Sequence, residues 1–190
     1  MKGIILLVLL TSCATKSILI SQNQLLPYKE ANQLTKLENI SKPISLTIVD
    51  IKNLSQNLGV GYTGVTYDKT PIQFEGDPQS VLSAFFISAL EMRNLVLSET
   101  SNVKMEIHIN ELTVNEVIQK FQGEKAGCKV NATFYVEDAN NKWSGSYWTE
   151  FLSASDLREG TERIAPTLAS CLNEVVEKLV NDEKFLNIIR

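Results

Sequence analysis

The sequence predicts an α+β domain, in which a mainly antiparallel sheet of about five to six strands carries two helices on one face. Three long stretches in the second half of the chain alternate apolar and polar residues, as half-buried strands do. Two other stretches repeat apolar residues at helical spacing, one before these strands and one after them. This segregation of strands and helices along the chain favours the α+β class.

The strands are predicted in order along the chain. The first covers residues 44–53, where Ile44, Leu46 and Ile48 alternate with more polar neighbours. One or two short strands follow around residues 65–67 and 72–74, with Pro71 near a sheet edge. The three long strands begin near Val103, Cys128 and Trp143, and a turn at residues 138–141 makes the last two a hairpin.

Helix signals complete the domain. Asp77 can cap the free N–H groups of a first turn, and Pro78 fits the first helical position. A second helix is predicted over residues 162–180, where Pro166 either kinks the helix or marks its true start. A short terminal helix follows at residues 183–189.

The first residues predict export and a lipid anchor. Lys2 precedes an unbroken apolar run at residues 4–10, which is too short to span a bilayer but suits a secretory signal. The following Leu-Thr-Ser-Cys ends at Cys13 and resembles a bacterial lipobox, which implies acyl chains on that cysteine. A plain signal peptide with an accidental cysteine is the alternative.

Three segments follow from that interpretation: a signal peptide at 1–12, a lipidated cysteine with a flexible tether at 13–43, and one periplasmic domain at 44–190. The tether is rich in Gln, Asn, Ser and Lys, although the short apolar pieces 18–20 and 25–26 are candidates for packing on the domain. Fully extended, it would reach at most about 100 Å.

Composition narrows the classes of partner. The chain of 190 residues is 44% hydrophobic and 21% charged, as is typical of a globular protein. Its net charge of −4 becomes −5 when Lys2 leaves with the signal peptide. The sequence shows no basic cluster interleaved with aromatic residues, so nucleic acid is not an expected partner.

Candidate catalytic and cofactor motifs are weak. Residues 59–64 match the glycine pattern of dinucleotide-binding loops, but no helix opens at Gly64, so a loop or hairpin is predicted instead. His108 is the only histidine and lies on the polar face of its strand. We therefore expect no metal, no cofactor and no catalytic set.

Cys128 and Cys171 remain after Cys13 is used. Both are expected to point into the core between sheet and helix, where they could form a disulfide or remain two separate buried thiols. A bond would close a loop of about 44 residues and stabilise the protein by roughly 4 kcal/mol.

Aromatic residues of the last hairpin form a possible partner patch, made of Trp143, Tyr147 and Trp148. Since alternate strand residues face opposite ways, Tyr147 and Trp148 cannot both lie in the core. One of the two either faces outward or is covered by the tether, and simple packing is the alternative to a protein-binding surface.

The layout resembles the YajG-type family of small bacterial lipoproteins, in the lipobox Cys13, the Ser/Gln-rich tether, the strand at 44–50, the helix from Asp77 and the closing helix. Its wider relatives are envelope lipoproteins with a TolB-N-terminal-like α+β domain. The resemblance implies no catalytic residues. Because Ala14 replaces the retention aspartate, it also implies the outer membrane of a Gram-negative bacterium, facing the periplasm.

The predicted function is therefore a non-enzymatic, lipid-anchored module that binds an envelope protein or supports a larger machine. A small-ligand or lipid-binding domain in envelope transport is the alternative, and a periplasmic enzyme is less favoured.

Overall fold

A computed structural model describes residues 17–25, 27, 34–38, 40–48, 57–63, 68–119, 123–153 and 160–190. The described strands are β1 (Ile18–Ile20), β2 (Ile44–Ile48), β3 (Gly59–Thr63), β4 (Asp68–Phe74), β5 (Val103–Gln119), β6 (Gly123–Glu137) and β7 (Lys142–Leu152). The helices are α1 (Pro78–Glu91), α2 (Thr161–Val180) and α3 (Glu183–Ile189). The predicted signal peptide, Cys13 and the strand expected at 65–67 lie outside the described residues.

The strands form two mixed sheets, with the orders β2-β5-β6-β7 and β1-β4-β3. The α+β class is confirmed, but the single, mainly antiparallel sheet of about five to six strands is wrong. β2 runs parallel to β5 and β1 runs parallel to β4. Parallel neighbours need a long crossover, and α1 supplies it between β2 and β5.

The long strand β5 brings the two sheets together. Its first part pairs with β2, and farther on the N–H of Val114 donates to the carbonyl of Leu58 at 3.0 Å, just before β3. A register shift between Ile109 and Glu111 marks a β-bulge against β6. Up to Ile109 the odd-numbered residues are buried, whereas Leu112, Val114 and Glu116 are buried after it.

The helices start and end close to where the sequence indicates. The carboxylate of Asp77 accepts a hydrogen bond from the N–H of Ser80 at 2.9 Å, and Pro78 opens α1. α2 begins at Thr161, so the interpretation of Pro166 as the helix start is wrong. Asp182 caps α3, which covers the predicted residues.

The core lies between the helices and the buried faces of both sheets. Phe85 and Phe86 of α1 and Phe134 of β6 are almost completely buried. Phe86 meets Phe134 edge-on with ring centroids 6.2 Å apart. The described helices are all too short or too polar to cross a membrane.

The predicted tether is shorter than residues 13–43. Ile18–Ile20 form β1, and Leu25 is 2% exposed. Residues 34–38 and 40–43, here called the strap, lie along the helices: the N–H of Leu37 donates to the carbonyl of Arg93 at 3.0 Å, and that of Lys42 to Ile189 at 3.3 Å. The sequence did not predict these contacts. Most of the segment is polar, and a three-residue strand is too short to show a period.

Candidate partner-binding groove

β7 is an edge strand, since it pairs with β6 on one side and ends the sheet on the other. Trp143 and Tyr147 point toward the helices. The ring of Trp143 packs against Phe185 at 5.7 Å, and Tyr147 donates a hydrogen bond to Asp182 at 2.8 Å. Gly145 lies between them, where a Cβ would come within 2.5 Å of Trp143. Both predicted patch residues therefore serve packing.

Trp148 differs from these two residues, because its side chain points to the opposite side of β7. It is 67% exposed, more than any other large apolar residue among those described. The predicted patch of Trp143, Tyr147 and Trp148 is therefore wrong as one surface. The register sets this division: Ala132 pairs with Tyr147, which puts Tyr147 on the core side and Trp148 on the other.

A groove of about 450 Å³ runs between the free edge of β7 and α2. It is lined by Trp148, Thr149, Glu150, Phe151, Ser170, Glu174 and Lys178. Phe151 lies on the edge strand and is 43% exposed, although its cross-strand partner Cys128 is buried. β7 thus lines the groove with two exposed aromatic residues, which project from opposite faces of the strand, and α2 forms the other wall.

Charged groups surround this groove. The Nζ of Lys178 donates to the carbonyl of Trp148 at 2.7 Å and lies 6.0 Å from its ring centroid. It is also 3.9 Å from Glu174. On the other wall, Glu150 is 3.2 Å from Lys129. Lys178 of α2 therefore satisfies one carbonyl of the β7 edge.

A disulfide lies directly behind the groove. Cys128 of β6 and Cys171 of α2 are joined, with 1.98 Å between the sulfurs and 6.3 Å between the Cα atoms. Both residues are buried, and Cys171 follows Ser170 of the groove wall. The bond ties α2 to the sheet at the point where the groove opens. Of the two arrangements that the sequence left open, this structure has the disulfide.

Two buried arginines, which sequence analysis missed, fix the ends of α2. Arg163 is 3.5 Å from Glu116 of β5 and 2.7 Å from Glu124 of β6. Glu116 also accepts a hydrogen bond from the N–H of Tyr62 at 2.7 Å. Burial raises the pKa of Glu116 above its ordinary value, more than these partners lower it.

Arg93, at the end of α1, reaches Glu177 of α2 at 3.1 Å and donates to the carbonyl of Ala89 at 2.7 Å. Glu177 also accepts hydrogen bonds from the backbone and hydroxyl of Thr35 in the strap. Burial opposes its ionisation, but the bonds from Thr35 and the charge of Arg93 together lower the pKa of Glu177.

His108, the remaining candidate for chemistry, is half-buried on β5. Its ring meets Tyr135 at 4.7 Å, and its Nε2 is 3.6 Å from Glu106. Within the part of the chain that the structure describes, no three His, Cys, Asp or Glu side chains are close enough together to hold a metal ion. These contacts belong to a strand surface, and His108 is not part of the groove.

A family model described as "uncharacterized lipoprotein" matches residues 31–190. The chain belongs to this lipoprotein family. The predicted resemblance to YajG-type lipoproteins is thereby confirmed. No curated protein matches the sequence.

Two solved structures are similar to this chain at low sequence identity. A Xanthomonas campestris protein of the DUF330 family superposes on the lipoprotein with a TM-score of 0.54 and 9% identity, covering 85% of this chain and 92% of that one. A minor lipoprotein from Acinetobacter baumannii gives 0.35 and 15% identity, covering 78% and 90%. The first likeness shows a common fold and nothing about activity, and the second carries no argument.

Proposed function

We propose that this lipoprotein is cut before Cys13, lipidated on that residue and held at the outer membrane facing the periplasm. There it would act as a non-enzymatic module that binds another envelope protein through the groove between β7 and α2. Membership of a lipoprotein family supports the anchor. The apolar run before Cys13 and Ala14 after it support the route and the destination.

The exposure of Trp148 is the observation that carries the binding proposal. An indole that is 67% exposed leaves a large apolar surface in water. Its backbone is fixed in the sheet and its carbonyl is held by Lys178, so little conformational entropy would be lost on binding. Tryptophan is enriched among the residues that dominate protein–protein binding energy.

The chemistry of the groove indicates what its partner presents. Trp148 and Phe151 offer apolar contact on the two faces of β7, so the partner would present an apolar side chain to this edge. Because Lys178 already occupies an edge carbonyl, addition of a complete strand along β7 is disfavoured. Glu150 and Glu174 at the rim would favour a basic residue beside that apolar side chain.

The alternative, a small-ligand or lipid-binding domain, has less support. A ligand site would bury most of its ligand among core side chains. The groove at β7 is lined mostly by exposed residues, although Thr149 is buried. A second hollow, of about 430 Å³, lies among the turns near Lys42, Ser101 and Asp138. Surface grooves of this kind suit a protein segment better than an enclosed small molecule.

Crosslinking in intact envelopes tests the binding proposal. A photoreactive phenylalanine analogue at Glu150, in the groove, should give a crosslinked product with one envelope protein. The same analogue at Tyr135 is the control, because this aromatic residue is 45% exposed but lies on β6 outside the groove. Trp148→Ala should weaken binding at least about fivefold, as loss of more than 1 kcal/mol does. Equal products from both positions, or unchanged capture by folded Trp148→Ala, would refute the proposal.

The anchor has a separate test. Cys13→Ser should leave the domain folded, as judged by circular dichroism, but release the protein from the membrane fraction. Retention of the variant with membranes would show that Cys13 is not the anchor.

A further inference from the structure

We infer that one end of this molecule lies against the lipid bilayer and that the end of the β5–β6 hairpin contacts lipid there. This end, the anchor-side pole, is defined by the start of β1, the ends of β5 and β7 and the starts of β6 and α2. The inference rests on the proposed lipid at Cys13. It goes further by assigning an orientation and a second contact with the membrane.

The distance from the anchor to the fold is short. β1 begins at Ile18, five residues after Cys13. Five residues span at most about 17 Å even when fully extended. The reach of about 100 Å expected for a tether of 30 residues is therefore not available, because β1 is already part of a sheet. The domain must lie close to the bilayer.

The pairing of β1 determines which end faces the membrane. Ile18 pairs in parallel with Ile72, while β3 and β4 join as a hairpin in which Thr63 opposes Asp68. The chain before Ile18 must therefore approach from the side on which Thr63 and Asp68 lie. Cys13 is connected to the fold from that side.

The ends of the other elements meet at the same side. A Cβ on Gly61 of β3 would contact both Ile18, at 2.4 Å, and Glu116 of β5, at 3.1 Å. Arg163, in the first turn of α2, contacts Glu116 and Glu124. Beyond Glu116, β5 continues away from this ionic cluster toward its end. The anchor-side pole therefore ends in the β5–β6 hairpin.

The last described side chains of β5 before this hairpin end include exposed apolar ones. Val117 is 38% exposed and Ile118 is 39% exposed, and as consecutive strand residues they point to opposite faces. Neither face of β5 is thus covered at this level. Leu152, at the end of β7, is 50% exposed on the same side. Lys125, which pairs with Val117, adds a cation beside this residue that can reach lipid phosphates.

The opposite hairpin end provides an internal contrast. The β6–β7 turn is polar, with the carboxylate of Asp138 bound by the N–H groups of Asn140 and Asn141. These bonds lower the pKa of Asp138 to about 2, and Lys42 pairs with the carboxylate at 3.3 Å, so this turn is built from polar and ionic contacts. One end of the long hairpins therefore suits the boundary of headgroups and acyl chains, which apolar residues enter by about 5–10 Å, and the other suits water.

Site-specific labelling of the full lipidated protein tests the orientation. Ile118→Cys introduces a free thiol, because Cys13 would carry lipid and Cys128 is bonded to Cys171. An environment-sensitive dye on this thiol is followed in vesicles of phosphatidylethanolamine with a minor fraction of phosphatidylglycerol. Asn140→Cys, an exposed position at the opposite hairpin end, is the matched control. Val117→Cys provides a second position at the hairpin end in case Ile118→Cys impairs folding.

Labels at positions 118 and 117 should show blue-shifted emission and several times more quenching by lipids with a spin-labelled acyl chain than the label at position 140. Vesicle-bound protein in which 117 and 118 are quenched no more than 140 would overturn the inference and leave the anchor intact. Failure of the lipidated protein to float with vesicles would overturn the anchor and this inference together.

Discussion

The two ends of α2 are each held by an arginine–glutamate pair, but water reaches the two carboxylates differently. At the first end, the side chains of Arg163 and Glu116 are 1% and 2% exposed. At the other end, Arg93 is equally buried, but Glu177 is 26% exposed. The pKa of Glu116 is accordingly raised, whereas that of Glu177 is lowered.

This difference in exposure gives the two arginine–glutamate pairs different roles in stability. A pair that is buried on both sides gains little net stability, since desolvation offsets the attraction, but removal of one partner leaves a charge that nothing compensates. A pair with one hydrated partner tolerates that loss better. The first pair therefore holds β3, β5, β6 and α2 in one arrangement, and the second attaches the strap to the helices.

The largest expected effect concerns the disulfide, which lies between these two ends of α2. Replacing both Cys128 and Cys171 by Ala should lower the free energy of unfolding by about 4 kcal/mol, because the unfolded chain is no longer crosslinked. Urea denaturation measures this loss. Reduction of the wild-type protein should reproduce it, and two free thiols in a non-reducing mass measurement would contradict the bond.

Arg163→Met should lower the free energy of unfolding by at least about 3 kcal/mol, because Glu116 would remain buried without its cation. Urea denaturation at neutral pH gives the value. Arg190→Met is the control at an exposed position and should change stability by less than about 0.5 kcal/mol. A loss at Arg163 no larger than the control would end the distinction between the two pairs.

Arg93→Met should cost less, about 2 kcal/mol, because Glu177 keeps its bonds to Thr35 and its access to water. Hydrogen exchange should quicken at the N–H of Leu37, which is bonded to the carbonyl of Arg93. If Arg93→Met destabilises the protein more than Arg163→Met does, exposure of the carboxylate is not the deciding factor.

Glu116 and Glu177 should change the dependence of the free energy of unfolding on pH in opposite directions. The lowered pKa of Glu177 contributes stability above the ordinary carboxyl pKa, and this is lost as pH falls through the folded-state value. The raised pKa of Glu116 has the reverse effect, so its contribution becomes more favourable as pH falls. Glu116→Gln should steepen the loss of stability between about pH 7 and pH 4, whereas Glu177→Gln should flatten that loss below the ordinary carboxyl pKa of 4.5. If the free energy of unfolding of both variants depended on pH in the same way, the opposite pKa shifts of Glu116 and Glu177 would be contradicted.

The smallest expected effect tests the strap. Thr35→Val removes the hydroxyl that bonds Glu177 and should cost about 1 kcal/mol. The loss should be local, with faster hydrogen exchange at Leu37 and unchanged exchange at the buried amides of β6. Thr100→Val, in an exposed turn, is the matched substitution and should leave Leu37 unaffected.

Local signals in the sequence predicted much of this fold. Asp77 and Pro78 placed the start of α1, and alternation placed β5, β6 and β7. The parallel pairing of β2 with β5 was missed, since a strand pattern carries no direction. β1 was missed because three residues between polar neighbours do not form a period.

The groove was harder to predict than the fold. Alternation showed that Tyr147 and Trp148 face opposite ways, but which of them faces the core depends on the register with β6. Lys178 and Glu174 belong to α2, and their position beside β7 depends on the tertiary packing of α2, which local sequence patterns do not give. Arg163 did carry a signal, as a charged residue directly before Ile164 on the apolar stripe, but its partners are far away in the sequence.

The bulge in β5 accommodates one extra residue while the side chains before and after it keep to the core face. Asn110 is the extra residue, and its amide donates to Thr133 of the neighbouring strand at 2.8 Å. Because Ile109 pairs with Ala132 and Glu111 with Asn131, deleting Asn110 would restore a regular ladder and leave the pairs beyond it unchanged. Substitution and deletion of this exposed asparagine should both be tolerated in related proteins. Insertion or deletion of one residue between Leu112 and Glu116 should be excluded, because it would turn Val117 inward and Glu116 outward, away from Arg163.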